Sequence, residues 1–203
     1  SISPYDFIVF AEEIDLITEF DLAMCRKLIA KLASQKGDET DLPVAVNISG
    51  RSINSPVFLE ALYALIARHS RVKGRLMFEI TESARILDLE HANEVIQDLR
   101  KRGFHVCLDD FGAGEAAFDY LRELDVDFVK IDGKYVKDAT SNSRDKAFLI
   151  AMSGLCHDLG ITTIAEGIEN EEILDFLRGC GITYGQGYVF AGVSELVTPH
   201  AVI

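Results

Sequence analysis

The amino-acid sequence predicts an α/β fold in which strands of a parallel sheet alternate with helices. Six short apolar segments recur at intervals of roughly 20–30 residues, and a helical pattern follows each of the first five. The strand segments are continuous apolar runs, which are typical of a parallel sheet covered on both faces. A chain of 203 residues suits one large domain. Two architectures fit this pattern, a doubly wound open sheet and a (β/α)₈ barrel, which typically needs about 250 residues.

The first segment of the chain is predicted to be helical from residue 5 to residue 35. Apolar residues recur there near helical spacing with charges between them, and Asp15 and Thr18 allow a break near the middle. The turn Lys36-Gly37-Asp38 closes the segment. Because this helix has no strand in front of it, we expect that further strands belong upstream and are absent from this chain.

The strand–helix repeat then continues to the end of the chain. Apolar runs bounded by glycine, proline and polar residues mark the strands, and longer amphipathic segments mark the helices. The predicted strands cover 43–48, 75–80, 105–110, 128–132, 162–166 and 184–188, and the predicted helices cover 56–69, 88–102, 116–124, 144–159 and 170–179.

Composition narrows the classes of partner. The chain has 20 basic and 33 acidic residues, a net charge of −13, and no cluster of lysine and arginine that would form a nucleic-acid groove, so we expect no DNA partner. It contains no run of 18 apolar residues, so no membrane segment is expected. The four scattered cysteines form no Cys-x-x-Cys pair, which indicates reduced thiols and a cytoplasmic location.

Every predicted strand ends in polar or charged residues. In a barrel these ends converge on the active site. Carboxylate and amide oxygens are ligands for Mg²⁺, Mn²⁺ or Ca²⁺, and this many could hold two metals suited to in-line displacement at phosphorus. The strand-end residues are Asn47, Glu79, Asp109 with Asp110, Lys130 with Asp132, Glu166, and Gln186.

Each strand-end residue also has a simpler structural interpretation. Asn47 could be a turn residue, Glu79 and Glu82 could belong to helix capping, and Lys130 with Asp132 could be an ion pair. These interpretations weaken together, because they would have to coincide at six successive strand ends. A Schiff-base role for Lys130 is disfavoured, because nearby carboxylates would raise the pKa of the lysine instead of lowering it.

The motifs at these strand ends resemble those of the EAL domain family, bacterial phosphodiesterases that open cyclic di-GMP to pGpG in second-messenger signalling. The resemblance covers nearly the whole chain, and six motifs in one order are far more specific than any one of them. It implies a TIM-like barrel, a single EAL-type domain over residues 1–203, and two divalent metal ions, Mg²⁺ or Mn²⁺, with Ca²⁺ inhibitory. The motifs are Val46–Ser49, Phe78–Ser83, Leu108–Gly114, Val129–Gly133, Ile164–Glu169 and Tyr184–Tyr188.

The resemblance also implies the metal ligands. Asn47, Glu79 and Asp109 match the ligands of one metal. Asp109, Asp110 and Glu166 match the ligands of the second, so that Asp109 bridges the two. The metals would activate a water and neutralise phosphate oxygens, which would let an acidic protein bind an anionic substrate.

Other positions match supporting roles in the family. Lys130 matches the lysine beside the attacking water, and Glu82 matches the residue that anchors the loop after Asp110. Together with Asp109, Asp110 and Glu166, these two make up the expected catalytic set. Positions expected to hold water, contact substrate or support the ligands are Asp132, Glu169, Gln186 and Gly187.

The sequence departs from the family pattern in two places. The Glu-Ala-Leu signature, whose glutamate is a metal ligand, is expected upstream of this chain. The loop after Gly112 continues Ala113-Gly114-Glu115, where the family usually has a threonine and serines, and this could weaken its coupling to the metals or dimer contacts. The alternative is therefore an inactive domain that senses cyclic di-GMP. The family further implies a homodimer and an attached sensory or GGDEF-type domain.

Overall fold

Local capping signals set the helix boundaries at the start of the chain. The computed structural model describes residues 3–34, 43–81, 86, 88–112, 117–137, 139–190 and 201–202. The Ser3 hydroxyl accepts a hydrogen bond from the Asp6 N–H and caps helix α1, Pro4–Glu13. Helix α2, Ile17–Ser34, follows after Asp15 adopts a left-handed φ of 57°. The predicted helical segment with a break near Asp15 is confirmed.

The chain divides into two compact units, Ser1–His105 and Val106–Ile203. In the first unit, strands β1 and β2 pair in parallel, in register from Val44 opposite Leu76 to Ile48 opposite Ile80. All of Leu76–Ile80 is buried, as the continuous apolar run predicts. The elements after α2 are β1 Val44–Ile48, α3 Gly50–Ile53, α4 Pro56–Arg68, a 3₁₀ turn Ser70–Val72, β2 Leu76–Thr81 and α5 Leu89–Lys101.

The second unit carries the rest of the strand–helix repeat. Strands β3, β4, β5 and β6 pair successively in parallel, and β7 pairs antiparallel with β6. The elements are β3 His105–Phe111, α6 Ala117–Glu123, β4 Phe128–Ile131, α7 Gly133–Lys137, α8 Ser143–Asp158, β5 Thr162–Ala165, α9 Glu171–Gly179, β6 Tyr184–Gly185 and β7 Ala201–Val202.

The α/β architecture with parallel strands is confirmed, and most boundaries lie within two residues of those predicted. The last predicted strand, 184–188, is too long, because the regular strand covers only Tyr184 and Gly185, and Gln186 adds one further backbone hydrogen bond to Ala165. At Gly187 the backbone passes so close to Ile168 that an added Cβ would overlap the Ile168 backbone.

Short helices after strands are the elements that sequence periodicity misses. α3 and α7 have four and five residues, too few for an amphipathic repeat. α3 is capped by the Ser49 hydroxyl, and α7 follows a turn in which the Asp132 carboxylate accepts a hydrogen bond from the Lys134 N–H.

All four cysteines are free thiols. Among the described helices, none has the length and apolar character needed to cross a membrane.

Candidate metal centre at the strand ends

A β-bulge brings the two adjacent aspartates of β3 to one side of the sheet. Leu108 lies opposite Val129 and Phe111 lies opposite Ile131, so Asp109 and Asp110 together stand opposite the single residue Lys130. In a regular strand, neighbouring side chains point to opposite faces. Asp110 adopts a left-handed φ of 55°, which breaks this alternation. Both carboxylates can therefore serve the same site.

Lys130 joins the aspartates of β3 to the end of β5. Lys130 pairs with Ile164, and Glu166 lies two positions further along on the same face. The Lys130 Nζ lies 3.0 Å from the Asp109 Oδ1 and 2.7 Å from the Glu166 Oε1. Lys130 is only 5% exposed and Asp109 only 8%. The lysine is thus a buried cation shared by two carboxylates. The simpler interpretation of Lys130 as an ion-pair residue also fits, with Asp109 and Glu166 as its partners.

The cluster holds more negative than positive charge. Asp109, Asp110 and Glu166 each offer an oxygen, and these oxygens lie within 4.8 Å of one another. Burial raises the pKa of Asp110, and the neighbouring Asp109 and Asp132 carboxylates raise it further. Burial likewise raises the pKa of Glu166, and Lys130 only partly opposes that rise. Bringing a further cation to the cluster would therefore favour the ionised carboxylates.

The donor set of the second unit fits a divalent metal ion. Three convergent carboxylates are hard oxygen ligands of the kind that Mg²⁺ and Mn²⁺ prefer. The side-chain oxygen of Gln186 is also buried, and it accepts no hydrogen bond within the part of the chain that the structure describes. Such an oxygen is suited to a bound water or ligand. The residues present therefore match the cofactor that the sequence predicts.

Four more predicted residues of the second unit have distinct placements. Asp132 is half-buried, and its carboxylate accepts the Lys134 N–H and lies 3.4 Å from the Lys134 Nζ. Gln186 continues the ladder beside β5, where its N–H donates to the Ala165 carbonyl. Gly187 makes the close backbone approach to Ile168, which is a packing reason for glycine there. Glu169 is exposed.

The predicted ligands of the first unit lie opposite each other on its two strands. Asn47 of β1 is in register with Glu79 of β2. Glu79 is 5% exposed, whereas Asn47 is exposed. Partners in a parallel ladder point to the same face, so both side chains stand on one side of this strand pair. Glu82, the predicted anchor of the loop, lies outside the described residues, as do Ala113, Gly114 and Glu115.

The sequence analysis missed a buried carboxylate next to Asn47. Asp21 of α2 is 4% exposed, and its Oδ2 accepts hydrogen bonds of 2.7 Å from both the Ser49 N–H and the Ser52 hydroxyl. Burial raises the pKa of Asp21, and these hydrogen bonds oppose that rise. Asp21 and Asn47 also line a cavity of about 450 Å³ between α1, α2 and β1. An acidic residue in the middle of an apolar helical stripe was the available signal for this site.

Tyr135 is a second residue that the sequence did not single out. Its hydroxyl donates to the Gly112 carbonyl at 2.8 Å, two residues after Asp110. Its ring stacks on Phe148 of α8, with centroids 6.3 Å apart. A tyrosine in a short unpredicted helix offers no sequence signal for such a contact.

The family model for the EAL domain matches residues 1–192. The chain belongs to the EAL domain family. It is 38% identical over 201 residues to the cyclic di-GMP phosphodiesterase PdeB of Shewanella oneidensis, covering 97% of this chain and 23% of PdeB. The chain thus spans about a quarter of the length of this curated relative.

Solved EAL structures share the fold of this chain. The EAL enzyme Bd1971, in its cAMP- and cyclic-di-GMP-bound form, superposes with a TM-score of 0.84 at 27% identity, covering 94% of this chain and 53% of Bd1971. The S helix-GGDEF-EAL part of Vibrio cholerae LapD, bound to cyclic di-GMP, gives a TM-score of 0.76 at 29% identity, covering 88% of this chain and 43% of the LapD chain. The predicted TIM-like fold class of the EAL family is confirmed by these neighbours.

Proposed function

We propose that this EAL domain, spanning residues 1–203, carries the catalytic centre of a metal-dependent phosphodiesterase that hydrolyses cyclic di-GMP to pGpG. The observation that carries the proposal is the convergence of Asp109, Asp110 and Glu166 within 4.8 Å around the Lys130 ammonium. The phosphodiesterase name of PdeB and the cyclic di-GMP bound to Bd1971 and LapD supply the substrate class.

The proposed cofactor is a pair of Mg²⁺ or Mn²⁺ ions, with Asp109, Asp110 and Glu166 holding one of them. When bound, the metals would supply Lewis-acid activation of water and neutralisation of phosphate charge. The assignment of Asn47, Glu79 and Asp109 to the other metal stays a prediction from the family resemblance. Several other assignments also remain predictions from the family resemblance. They are the anchoring role of Glu82, the supporting roles of Asp132, Glu169, Gln186 and Gly187, the homodimer, and the attached sensory or GGDEF-type domain.

The chain's own residues have clear tasks in this reaction. Lys130 is buried between two carboxylates, which favours its protonated form and makes it a fixed cation beside the metal ligands. There its ammonium can orient a water or hold a phosphate oxygen by hydrogen bonding. Asp109 is fixed by two contacts, one to Lys130 and one from the Asp110 N–H to its Oδ1 at 3.0 Å. A fixed carboxylate suits the bridging position.

The decisive experiment is a turnover assay with cyclic di-GMP in Mg²⁺, Mn²⁺ or Ca²⁺, following pGpG by chromatography. We expect turnover with Mg²⁺ and Mn²⁺, suppression by Ca²⁺, and a loss of at least about 100-fold in Asp109→Asn, because even residues behind metal ligands contribute 10–100-fold. The matched control is Asp175→Asn, which changes an exposed aspartate that pairs with Arg178 on α9. It should keep wild-type turnover.

The same assay tests the competing function, a cyclic di-GMP sensor. Tight binding of cyclic di-GMP without turnover in any of the three metals would overturn the catalytic proposal and support the sensor. Equal turnover in wild type and Asp109→Asn would show that the reaction occurs elsewhere. Because the chain spans about a quarter of PdeB, the assay should include the longest available form of the protein as well as residues 1–203.

A further inference from the structure

The β3 bulge needs support from outside the strand. Asp110 is not a glycine, and its φ of 55° lies in the left-handed region, which aspartate tolerates better than most residues but which still costs free energy for an L side chain. The next turn continues with Gly112 at a φ of 92°. The direction of the Asp110 carboxylate therefore depends on what fixes the backbone between Asp110 and Gly112.

Tyr135 contacts this backbone in two ways. Its hydroxyl donates a hydrogen bond of 2.8 Å to the Gly112 carbonyl. Its ring covers Gly112 so closely that a Cβ there would lie 2.7 Å from the Tyr135 Cε2. The ring and the hydroxyl thus hold both the position and the orientation of the Gly112 peptide.

Tyr135 is itself held by neighbouring elements of the second unit. Its N–H donates to the Asp132 carbonyl at 3.0 Å, and its ring stacks on Phe148 of α8 at 6.3 Å between centroids. The Asp132 N–H in turn donates to the Phe111 carbonyl at 3.4 Å. Tyr135 is therefore a fixed support, connected to the bulge through Gly112 and through Phe111.

We propose that Tyr135 is a positioning residue for the metal centre: its hydroxyl fixes the Gly112 carbonyl and thereby holds Asp110 in the bulged conformation that points its carboxylate toward Asp109 and Glu166. The inference rests on the proposed metal-dependent function. A partly buried tyrosine hydroxyl commonly finds some acceptor for its own sake. What favours a positioning role is the acceptor itself, which lies two residues from a strained metal-ligand candidate.

Tyr135→Phe tests the proposal, because it removes the hydroxyl and keeps the ring. Mn²⁺ binding, followed by calorimetry or electron paramagnetic resonance, should weaken about 10-fold, within the range for residues that orient metal ligands. At saturating Mn²⁺, turnover of cyclic di-GMP should return close to that of the wild type. In metal-free protein, amide hydrogen exchange at Asp110–Gly112 should become faster.

The matched control is Tyr63→Phe on α4 in the first unit. The Tyr63 hydroxyl hydrogen-bonds to Asp98, so this variant also loses one hydroxyl contact. We expect unchanged Mn²⁺ affinity and unchanged exchange at Asp110–Gly112. If both variants weaken Mn²⁺ binding equally, or if Tyr135→Phe leaves both affinity and exchange unchanged, the positioning role is wrong.

A double-mutant cycle with Asp110→Asn shows whether Tyr135 acts through Asp110. In the Asp110→Asn background, Tyr135→Phe should cause no further loss of Mn²⁺ affinity. Equal losses in both backgrounds would overturn the mechanism. These outcomes are distinct from a failure of the proposed function, which would appear as a wild-type protein that neither binds Mn²⁺ nor cleaves cyclic di-GMP.

Discussion

Each unit of the protein contains a buried carboxylate site, and the two sites balance their charge differently. In the first unit, the Asp21 carboxylate accepts hydrogen bonds from the Ser49 N–H and the Ser52 hydroxyl, which are both uncharged donors. In the second unit, the Lys130 ammonium pairs with Asp109 and Glu166, and Asp110 adds a third carboxylate within 4.8 Å of these two. In the first site, two uncharged hydrogen-bond donors compensate the buried carboxylate. In the second site, three carboxylates outnumber the one ammonium that pairs with two of them, which leaves an excess of negative charge.

This difference supports a structural role for Asp21 and the metal-binding role that we propose for the second cluster. Asp21 ties α2 to the start of α3, so its hydrogen bonds complete the local fold without any further ligand. The second cluster places three carboxylates within 4.8 Å, where burial and then the charge of neighbouring carboxylates raise the pKa of Asp110 and of Glu166, so that another cation would favour their ionised forms. Active sites commonly sacrifice stability in this way. Changes at Asp21 should therefore affect mainly folding, and changes in the second cluster mainly activity.

The largest expected effect is the loss of activity in Lys130→Met. This variant keeps an unbranched apolar stem but removes the cation beside Asp109 and Glu166, and removing one positioned hydrogen-bond donor from an active site costs about 10²- to 10³-fold in turnover. We expect a loss of turnover in that range. Lys146→Met on α8, whose ammonium lies over the Phe176 ring, is the control and should keep activity. Wild-type turnover in Lys130→Met would mean that the shared ammonium is only structural.

The next effect is the loss of stability in Asp21→Ala. Removing the carboxylate leaves the Ser49 N–H and the Ser52 hydroxyl without this buried acceptor, which costs about 1–3 kcal/mol in the free energy of unfolding. The control is Asp88→Ala, which removes an exposed cap from the His91 N–H of α5 and should cost about 1 kcal/mol or less. Chemical denaturation measures both. If the two losses are equal, the buried Asp21 network contributes no more than an ordinary helix cap.

The sequence predicted the repeat and the strand-end residues because both follow from simple periodicity. Apolar runs locate each strand, and the polar residue that ends it marks the same edge of a parallel sheet. That reasoning located Asp109, Asp110, Lys130 and Glu166, which the structure brings together. The simpler alternative for these residues was an ion pair between Lys130 and Asp132; the structure pairs Lys130 with Asp109 and Glu166, and Asp132 with Lys134.

Features that depend on broken periodicity or on distant contacts were not predictable. Strand alternation would place Asp109 and Asp110 on opposite faces, and only the bulge with Asp110 at positive φ brings them together. The contact from Tyr135 to Gly112 joins residues 23 apart, and α7 is too short to show a helical pattern. Asp21 stood out in the sequence only as an acidic residue within an apolar helical stripe, since its acceptor role depends on Ser49 and Ser52, far along the chain.

The smallest expected effect, a pH dependence of stability in metal-free protein, tests both sites together. The folded-state pKa values of Asp110, Glu166 and Asp21 are raised above their ordinary values of 3.8, 4.5 and 3.8, first of all by burial. The folded protein therefore holds protons that the unfolded chain has released. The stabilisation from these three groups is complete below those ordinary values and is lost as pH rises through the raised ones.

Added metal should separate the contributions of the two sites. In EDTA, the denaturation midpoint should fall as pH rises from about 4 toward neutral, and Asp110→Asn and Asp21→Asn should each flatten part of this slope. Saturating Mg²⁺ or Mn²⁺ should reverse the part of this pH dependence that comes from Asp110 and Glu166. A bound cation favours the ionised forms of the two carboxyl groups, and its binding stabilises the fold. The Asp21 part should persist, because hydrogen-bond donors already satisfy that carboxylate. A slope that metal leaves unchanged would contradict the idea that the surplus charge of the second unit exists to bind cations.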